Sequence, residues 1–313
     1  MNRSDLLAPV LAGLALLLPC ACLAQEADTA FSVTEEDIEA ARTAPLFQSH
    51  DFLEFTIEAD FKTMRDDDRG DDAEERPATI TFAGPDGTPQ TYDFQVRTRG
   101  IFRLQSRNCE NPPIRLNFRT SAMTGTVFEG QDRLKLVGVC RTRQDYYEQY
   151  VLQEYLIYRS YNQLTDVGFQ VRPVRVTYVD TSDDVDTFTK YGFLIEAEEA
   201  MAARNGARSI EWPPEPGLLI GKYVPGSGQL LPQAQDPRQA VILDIFQYMI
   251  GNTDWSAVEF HNVKLVEYRD GTLMTVPYDF DFSGAVNARY ANPDESLNLR
   301  NVKQRLFRGF CHD

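Results

Sequence analysis

The side chains best suited to chemistry lie late in the chain, in the segments GNTDWSAVEFHNVKL and VPYDFDFSG. The first segment places Asp254 on a predicted loop after an apolar helix, and Asn262 at the entrance of the next strand. The second segment places Asp279 and Asp281 at a strand end. Acids at the end of an apolar strand are energetically costly unless they are paired or bind a cation. The two segments therefore indicate a site for a divalent metal.

The conformation of the chain between Asp279 and Asp281 decides how these two acids act. If the backbone stays extended, both carboxylates point to the same face and could share one cation. If the chain turns, one carboxylate could face the site while the other braces the loop. The sequence pattern is compatible with either arrangement.

The order of these residues is the one used in kinase-type phosphoryl transfer. In that chemistry an Asp on a loop orients the attacking hydroxyl, and an Asn and a later Asp after a hairpin hold magnesium. Asp254, Asn262 and Asp279 follow one another in this order. The order predicts a phosphotransferase.

Apolar periodicity predicts the elements that must position these residues. Strand-like alternation dominates the chain up to residue 139, and a long amphipathic helix is predicted from about Asp145 to Leu164. Two more strands, a short helix at 198–206 and a connecting loop at 207–235 follow. The later part is predicted to contain an apolar helix that begins at Asp236-Pro237, a hairpin around Arg269-Asp270-Gly271, and a last helix from Asn292-Pro293. This order favours an α+β, two-lobed layout.

Several segments together resemble the CotH-type secreted kinase-like family, known from spore-coat proteins. VRTRGIFRLQSRNCENPPIRLNF resembles the RGNS-containing segment of that family and the basic strand behind it. DYYEQYVLQEYLIYRSYN resembles its N-lobe helix, and VRVTYVD followed by YGFLIEAEE resembles its paired strands ending in a hinge glutamate. The resemblance covers roughly residues 50–285 and depends more on the order of the patterns than on identity.

The resemblance implies an atypical protein-kinase-like fold with an antiparallel β-rich N-lobe and a mainly helical C-lobe. The kinase-like domain is placed at 46–313, with lobes that meet near 195–196, and the sequence before it predicts a signal peptide at 1–24 and a lead-in at 25–45. The implied ligands are ATP with Mg²⁺ or Mn²⁺, and the acceptor is Ser/Thr or a small hydroxyl compound. The implied site residues are Asp254 for catalysis, Asn262 and Asp279 for the metal, and Arg97, Arg99, Arg115, Lys135, Glu154 and Glu196 for the nucleotide. The spacing at the strand end adds Asp281 as a metal ligand.

The sequence departs from the family pattern at defined points. The Asn that follows Arg-Gly in the family is Ile101 here, and the lysine expected in the basic strand falls near Asn117. Either Arg115 or Lys135 must then supply the cation. The spacing from Asp254 to Asn262 also exceeds the usual kinase value of about five residues. These departures favour one alternative, a non-catalytic, pseudokinase-like envelope protein that binds a partner or a glycan. The acid pair Asp279 and Asp281 at a strand end leaves a second alternative, a metal-dependent hydrolase.

The charge of the chain limits its partners. With 47 Asp and Glu against 31 Lys and Arg, the formal net charge is −16. A general nucleic-acid binder needs a basic face, and so does a protein held on anionic lipid. Both are therefore excluded. Several arginines nevertheless gather between residues 97 and 119, which is where an anionic ligand would need them.

The N-terminal segment predicts export. Residues 1–24 contain an uncharged run rich in Leu and Ala, with the small residues Cys22 and Ala24 before a cleavage point. A membrane anchor, or a lipoprotein that uses Cys20, is the alternative. No later segment is apolar enough to span a bilayer. We therefore expect a periplasmic or secreted protein.

Export also determines how the cysteines are interpreted. Of the five cysteines, Cys20 and Cys22 leave with the signal peptide. In an oxidising compartment two of the remaining three are expected to form a disulfide. We predict the pair Cys109–Cys140, because both flank one β region, and this leaves Cys311 unpaired.

Overall fold

The computed structural model describes residues 31–67, 69–211, 222–224, 229–230 and 234–310. The helices and strands of the described residues lie within one compact unit, Val33–Asp313. The predicted signal peptide and Cys311 lie outside the described residues. No helix in the described part of the chain is both long and apolar enough to cross a membrane.

Short strands outnumber helices along the described chain. The strands are β1 (Leu53–Ala59), β2 (Arg76–Ala83), β3 (Pro89–Thr98), β4 (Ile114–Asn117), β5 (Arg133–Val137), β6 (Val171–Asp180), β7 (Phe188–Ile195), β8 (Ala207–Ile210), β9 (Tyr223–Val224), β10 (Gln229–Leu230), β11 (Val263–Tyr268) and β12 (Leu273–Pro277). The helices are α1 (Glu35–Thr43), α2 (Phe61–Asp66), α3 (Asp145–Tyr161), α4 (Glu198–Arg204) and α5 (Pro237–Ile250).

The first seven strands close into a barrel in the order β1-β2-β3-β4-β5-β7-β6. All neighbours are antiparallel except β1 and β6, which are parallel and complete the ring. The sequence alternation has the expected effect, because Phe55, Ile57 and Ala59 of β1 are buried while Glu54 and Glu58 face outward. The barrel is therefore filled by apolar side chains and leaves charged residues on its outer surface.

A second core joins the barrel to the later elements. The long helix α3 packs on the outside of the barrel, where the Tyr158 and Phe193 ring centres lie 5.6 Å apart. About one turn further along α3, the rings of Tyr161 and Phe246 bring α5 against it at 4.9 Å. Phe280, which follows β12, packs against Tyr158 at 4.7 Å. The chain after Gly251 is thus fixed to the barrel through α3.

The end of α5 sets the position of the loop that carries Asp254. Asp236 caps the start of the helix by accepting a hydrogen bond from the backbone N–H of Gln239 at 2.8 Å. Gly251 ends the helix in the left-handed region, with φ of 67°. The hairpin β11–β12 follows and pairs with β8 as a three-stranded sheet. The predicted helix and hairpin are both confirmed.

The predicted two-lobed kinase-like fold with a mainly helical C-lobe is wrong. The structure has a closed seven-strand barrel, a three-stranded sheet and five α-helices among the described residues. The predicted last helix is replaced by a single 3₁₀ turn, Glu295–Leu297, which ends at Asn298 with φ of 53°. The sequence pattern predicted separate antiparallel strands, but ring closure depends on β1 meeting β6, and no local pattern encodes that pairing.

The predicted pairing of cysteines is confirmed. Cys109 and Cys140 form a disulfide whose Cα atoms lie 4.8 Å apart. The bond joins the segment between β3 and β4 to the segment after β5. Both sulfurs are buried in the core that includes α3. The bond therefore constrains the part of the chain that carries the basic residues.

We expect that replacing both cysteines, Cys109→Ser with Cys140→Ser, lowers the unfolding free energy by about 2–4 kcal/mol, because the unfolded chain regains loop entropy. Urea unfolding followed by circular dichroism measures this difference. The native protein in reducing agent should match the double variant, and adding reductant to the variant should change nothing. Equal stability of the two proteins would contradict the expectation.

Candidate functional site

A cavity of about 590 Å³ gathers most of the predicted site residues. Its walls come from the ends of β3 to β5, from α3, and from the loops that follow α5 and β12. It is lined by Arg99, Arg115, Lys135, Glu154, Asp254, Asn262, Asp279 and Asp281 among others. A larger groove of about 980 Å³ lies elsewhere on the barrel and contains none of these residues. The smaller cavity is the candidate site, because it brings the titratable groups together.

Arg99, directly after β3, has a buried hydrogen-bond donor that is available to a ligand in the cavity. Its guanidinium Nε is buried and has no hydrogen-bond partner among the described residues. Burial lowers the pKa of Arg99, and Asp279 and Glu154 act in the opposite direction. A buried N–H donor without an acceptor is uncommon in native proteins. It is explained if an oxygen-rich anion occupies the cavity.

Arg103 holds the acidic side of the cavity together. Its guanidinium donates to the carboxylate of Asp281 and to the hydroxyl of Tyr290, the latter at 3.2 Å, and lies 3.9 Å from the carboxylate of Glu154. Tyr290 in turn donates to Asp281 at 3.0 Å. Burial and the charge of Asp281 raise the pKa of Glu154 well above its usual value. Two buried acids thus share one arginine.

Asp279 faces the cavity from a strained backbone position. β12 ends at Pro277, and Asp279 has φ of 61°, so the chain turns. Its backbone N–H donates to the hydroxyl of Tyr158 at 2.9 Å, which fixes the turn against α3. Burial and the neighbouring Asp281 raise the pKa of the Asp279 carboxyl to about 6. The backbone therefore turns between the two acids: both line the cavity, and Asp281 also braces the loop through Arg103 and Tyr290.

The loop that carries Asp254 is held by its own neighbours. Asp254 Oδ1 lies 2.8 Å from His261 Nε2, and Asn262 Nδ2 donates to Asp254 Oδ2 at 3.1 Å. Asn262 Nδ2 also donates to the backbone carbonyl of Asp254 at 2.7 Å. These contacts use the amide nitrogen of Asn262, so its Oδ1 can still act as a ligand. The carboxylate of Asp254 raises the pKa of His261.

Strand register places a basic row beside these acids. Arg115 on β4 pairs with Lys135 on β5, so both side chains lie on the same face of the barrel. Lys135 Nζ lies 5.2 Å from the ring centre of Tyr278. Burial, together with Arg99 and Lys264, lowers the pKa of Lys135 to about 8. Lys135 is thus a cation whose charge is poorly compensated by the protein.

Two of the predicted nucleotide-binding residues do not line the cavity. Arg97 is buried and donates to the backbone carbonyls of Gly70 and Thr98 at 3.3 and 3.2 Å. Glu196 accepts from Arg204 at 2.9 Å and from the backbone N–H of Gln170 at 2.9 Å. Both contacts hold connecting segments in place.

Sequence reasoning missed four residues that shape the cavity. Arg103, Tyr158, Lys264 and Tyr278 all line it. Lys264 forms an ion pair with Glu198 at 2.8 Å, and its Nζ lies 5.8 Å from the ring centre of Tyr278. Only Arg103 carried a signal, since it falls among the arginines gathered between residues 97 and 119. The other three lie on α3, on β11 and directly after β12. In the sequence they look like ordinary residues of a helix or a strand.

The oxygen atoms that line the cavity supply only some of the ligands that a hard cation such as Mg²⁺ needs. Among the described residues, no group of three or more His, Cys, Asp or Glu side chains could hold a metal ion alone. Asp279 and Asn262 offer carboxylate and amide oxygens, and Asp281 is already engaged by Arg103. Mg²⁺ is usually held by one or two carboxylates together with substrate phosphates. The residues therefore fit a cation that arrives with a phosphate ligand.

Neither a family model nor a curated protein matched this chain when the sequence was compared with both.

We expect Asp279→Asn to stabilise the protein at pH 7. The carboxyl has a raised pKa of about 6, so its protonated form is preferred in the folded state. The protonated carboxyl contributes fully to the stability of the fold when the pH is below about 3.9, the usual pKa of an Asp side chain. This contribution is lost as the pH rises through 6. The free energy of unfolding of the variant should therefore exceed that of the native protein by about 2–3 kcal/mol at pH 7, and the two values should be equal near pH 4.

Urea unfolding between pH 4 and pH 7, with a chelator present, measures this difference. Asp132→Asn is the matched control, because the Asp132 side chain is exposed beside β5. If the stability of Asp279→Asn changes with pH as steeply as that of the native protein, the raised pKa of Asp279 is contradicted.

Proposed function

We propose that this protein is an exported phosphotransferase. In this proposal a nucleoside triphosphate, ATP by the sequence resemblance, donates a phosphoryl group to a Ser/Thr or small-molecule hydroxyl. One observation carries the proposal: Arg99 and Lys135 face Asp254, Asn262 and Asp279 across a single cavity. This grouping supports phosphoryl transfer independently of the fold, which is a barrel.

The basic side of the cavity suits phosphate oxygens. A guanidinium such as Arg99 can donate two hydrogen bonds to one phosphate, and a lysine acts as a point charge. Phosphoryl transfer is accelerated mainly by positioning and by stabilising charge on the transferred group. Arg99 and Lys135 would do both, because they are already buried and oriented before the ligand binds.

The acidic side suits a divalent cation that accompanies the phosphates. Asp279 and Asn262 Oδ1 would hold Mg²⁺ or Mn²⁺, and the cation would neutralise charge on the phosphate oxygens. The raised pKa of Asp279 supports this role. Two acids that face each other without a cation retain a proton, and a bound cation would take its place.

Asp254 would orient the acceptor hydroxyl. Its carboxylate lies at the edge of the cavity and is partly exposed, with a side-chain exposure of 39%. His261 and Asn262 hold it in one orientation. A carboxylate fixed in this way can accept the hydroxyl proton as the phosphoryl group leaves the donor.

Export is part of the proposal and is supported by the disulfide. Disulfides persist in oxidising compartments and are rare in the cytosol. The Cys109–Cys140 bond is buried beside the segment that carries Arg99 and Arg103. The predicted signal peptide agrees with this location.

We expect ATP with Mn²⁺ to raise the melting temperature of the native protein. A ligand at about 100 times its Kd adds about 2.7 kcal/mol of stability. Arg99→Gln should lose most of this gain, because it removes the buried donor. Differential scanning calorimetry with and without nucleotide measures the effect.

Arg175→Gln is the matched control, since Arg175 is exposed on β6 and pairs with Glu54 at 3.4 Å. It should respond to nucleotide like the native protein. The proposal fails if no nucleoside triphosphate stabilises the native protein in the presence of either metal.

A non-catalytic role as a nucleotide or anion-binding protein is the second candidate. It is favoured by the Asp254 loop, where both carboxylate oxygens are engaged by His261 and Asn262. In a catalytic protein, one of these contacts must yield to the acceptor hydroxyl. The two candidates differ in what Asp254 does after the nucleotide has bound.

We expect Asp254→Asn to bind nucleotide as tightly as the native protein but to transfer phosphate about 10²–10⁴-fold more slowly, the usual loss for a positioned acid–base group. Calorimetric titration and transfer of labelled phosphate to a hydroxyl acceptor give the two values. Tight binding with no transfer by the native protein would instead support the non-catalytic role.

A further inference from the structure

A second groove adjoins the candidate site. It has a volume of about 920 Å³ and is lined in part by Arg65, Arg69 and Arg107. Gly100 and Ile101 line both this groove and the candidate cavity. The two spaces therefore meet at the short segment that follows Arg99. A molecule with its reacting hydroxyl in the cavity would reach the groove by crossing Gly100 and Ile101.

Two of the groove arginines form no ion pair with an acid among the described side chains. Arg65 donates to the side-chain oxygen of Asn111, and Arg107 donates to Gln105 Oε1 at 3.0 and 2.7 Å. These are neutral amide oxygens, and the acids that act on Arg65 most, Asp180 and Glu110, do so over a longer range. The pattern is unusual in a chain with a net charge of −16.

Most of the other described charges along the groove are paired with an opposite charge. Arg69 pairs with Asp67 at 2.7 Å, and Asp66 pairs with Lys62. Asp72 is the remaining described acid of the groove whose side chain is exposed. Among the described side chains of the groove, Arg65 and Arg107 are thus the cations left to bind an anionic group, which would gain charge-assisted hydrogen bonds there.

The wall shared by the two spaces offers an apolar contact. Ile101 is 80% exposed, and Phe102 beside it is 40% exposed. These two neighbouring side chains give the wall a small exposed apolar surface. An extended peptide presents alternating side chains along its length. Such a peptide could place one residue on Ile101 and an acidic residue on the arginines.

We propose that this groove binds the acceptor, and that the acceptor is a polypeptide with acidic residues near its phosphorylated hydroxyl. The inference rests on the proposed phosphotransferase function, because it takes the neighbouring cavity as the place of transfer. Arg65 and Arg107 would bind the acidic side chains of the peptide, and Ile101 would contact the residue between them and the hydroxyl.

Fluorescence anisotropy with labelled peptides tests the groove without depending on catalysis. One peptide carries a serine and several glutamates, and its partner carries glutamines in their place. The native protein should bind the glutamate peptide about tenfold more tightly at low salt, and the difference should shrink as salt is added. Arg65→Gln combined with Arg107→Gln should abolish the difference.

Arg175→Gln is the control for a general loss of positive charge. Arg107→Glu is a second variant at an exposed position, and it should reverse the preference even if Arg65→Gln disturbs folding. The proposal is overturned if the native protein binds both peptides equally, or if Arg175→Gln has the same effect as the groove variants. It is also overturned if an acidic polysaccharide binds in the groove while the glutamate peptide binds no more tightly than the glutamine peptide.

Failure of the proposed function would look different. In that case nucleotide would not stabilise the protein, whereas the glutamate peptide would still bind better than the glutamine peptide. The groove would then be a peptide-binding surface without transfer. The nucleotide and peptide measurements therefore separate the two ideas.

Discussion

The buried contacts of Arg103 are the interaction on which the candidate site depends. Arg103 comes from the segment between β3 and β4, and it binds Asp281, Tyr290 and Glu154 from the segments after β12 and from α3. Removing one partner from a buried ion pair typically costs about 3–5 kcal/mol, because the remaining charge is left without compensation. Here two acids would be left. This arginine therefore joins the barrel to the later chain and also sets the charge around Asp279.

The barrel explains why some basic residues reach the cavity and others do not. Arg97, Arg115 and Lys135 are register partners on three neighbouring strands, so they form one row on the outer face of the barrel. Arg115 and Lys135 line the same cavity as Asp279 and Asp254. At the other end of the row, the segment around Gly70 covers Arg97 and takes its hydrogen bond. The same strand alternation thus gives one residue a structural contact and gives its neighbours a place in the cavity.

The sequence could predict the local features because their causes are local. The N-cap at Asp236, the C-terminal glycine of α5 and the turn between β11 and β12 each depend on a few adjacent residues. The grouping of Asp254, Asn262 and Asp279 was also predicted, from a motif order rather than from packing. Closure of the barrel was not, because it needs β1 and β6 to meet. The partner of Arg103 was not predicted for the same reason, since Asp281 lies 178 residues away. The choice between the two arrangements of Asp279 and Asp281 depended on one backbone angle.

The charges inside the cavity oppose one another, and this limits what can bind there. Arg99 and Lys135 attract an anion, whereas Asp279 repels it once its carboxyl, whose pKa is about 6, has lost its proton, and burial strengthens both effects. A bare phosphate would therefore gain less than a phosphate that arrives with a cation, because the negative charge on Asp279 offsets part of the attraction. A ligand that brings a cation to Asp279 removes the repulsion and keeps the attraction. The raised pKa of Asp279 points the same way, since the protein alone favours the proton there. Selectivity for a metal–phosphate pair over a simple anion would then follow from the arrangement of charges, with no need for a positive protein surface.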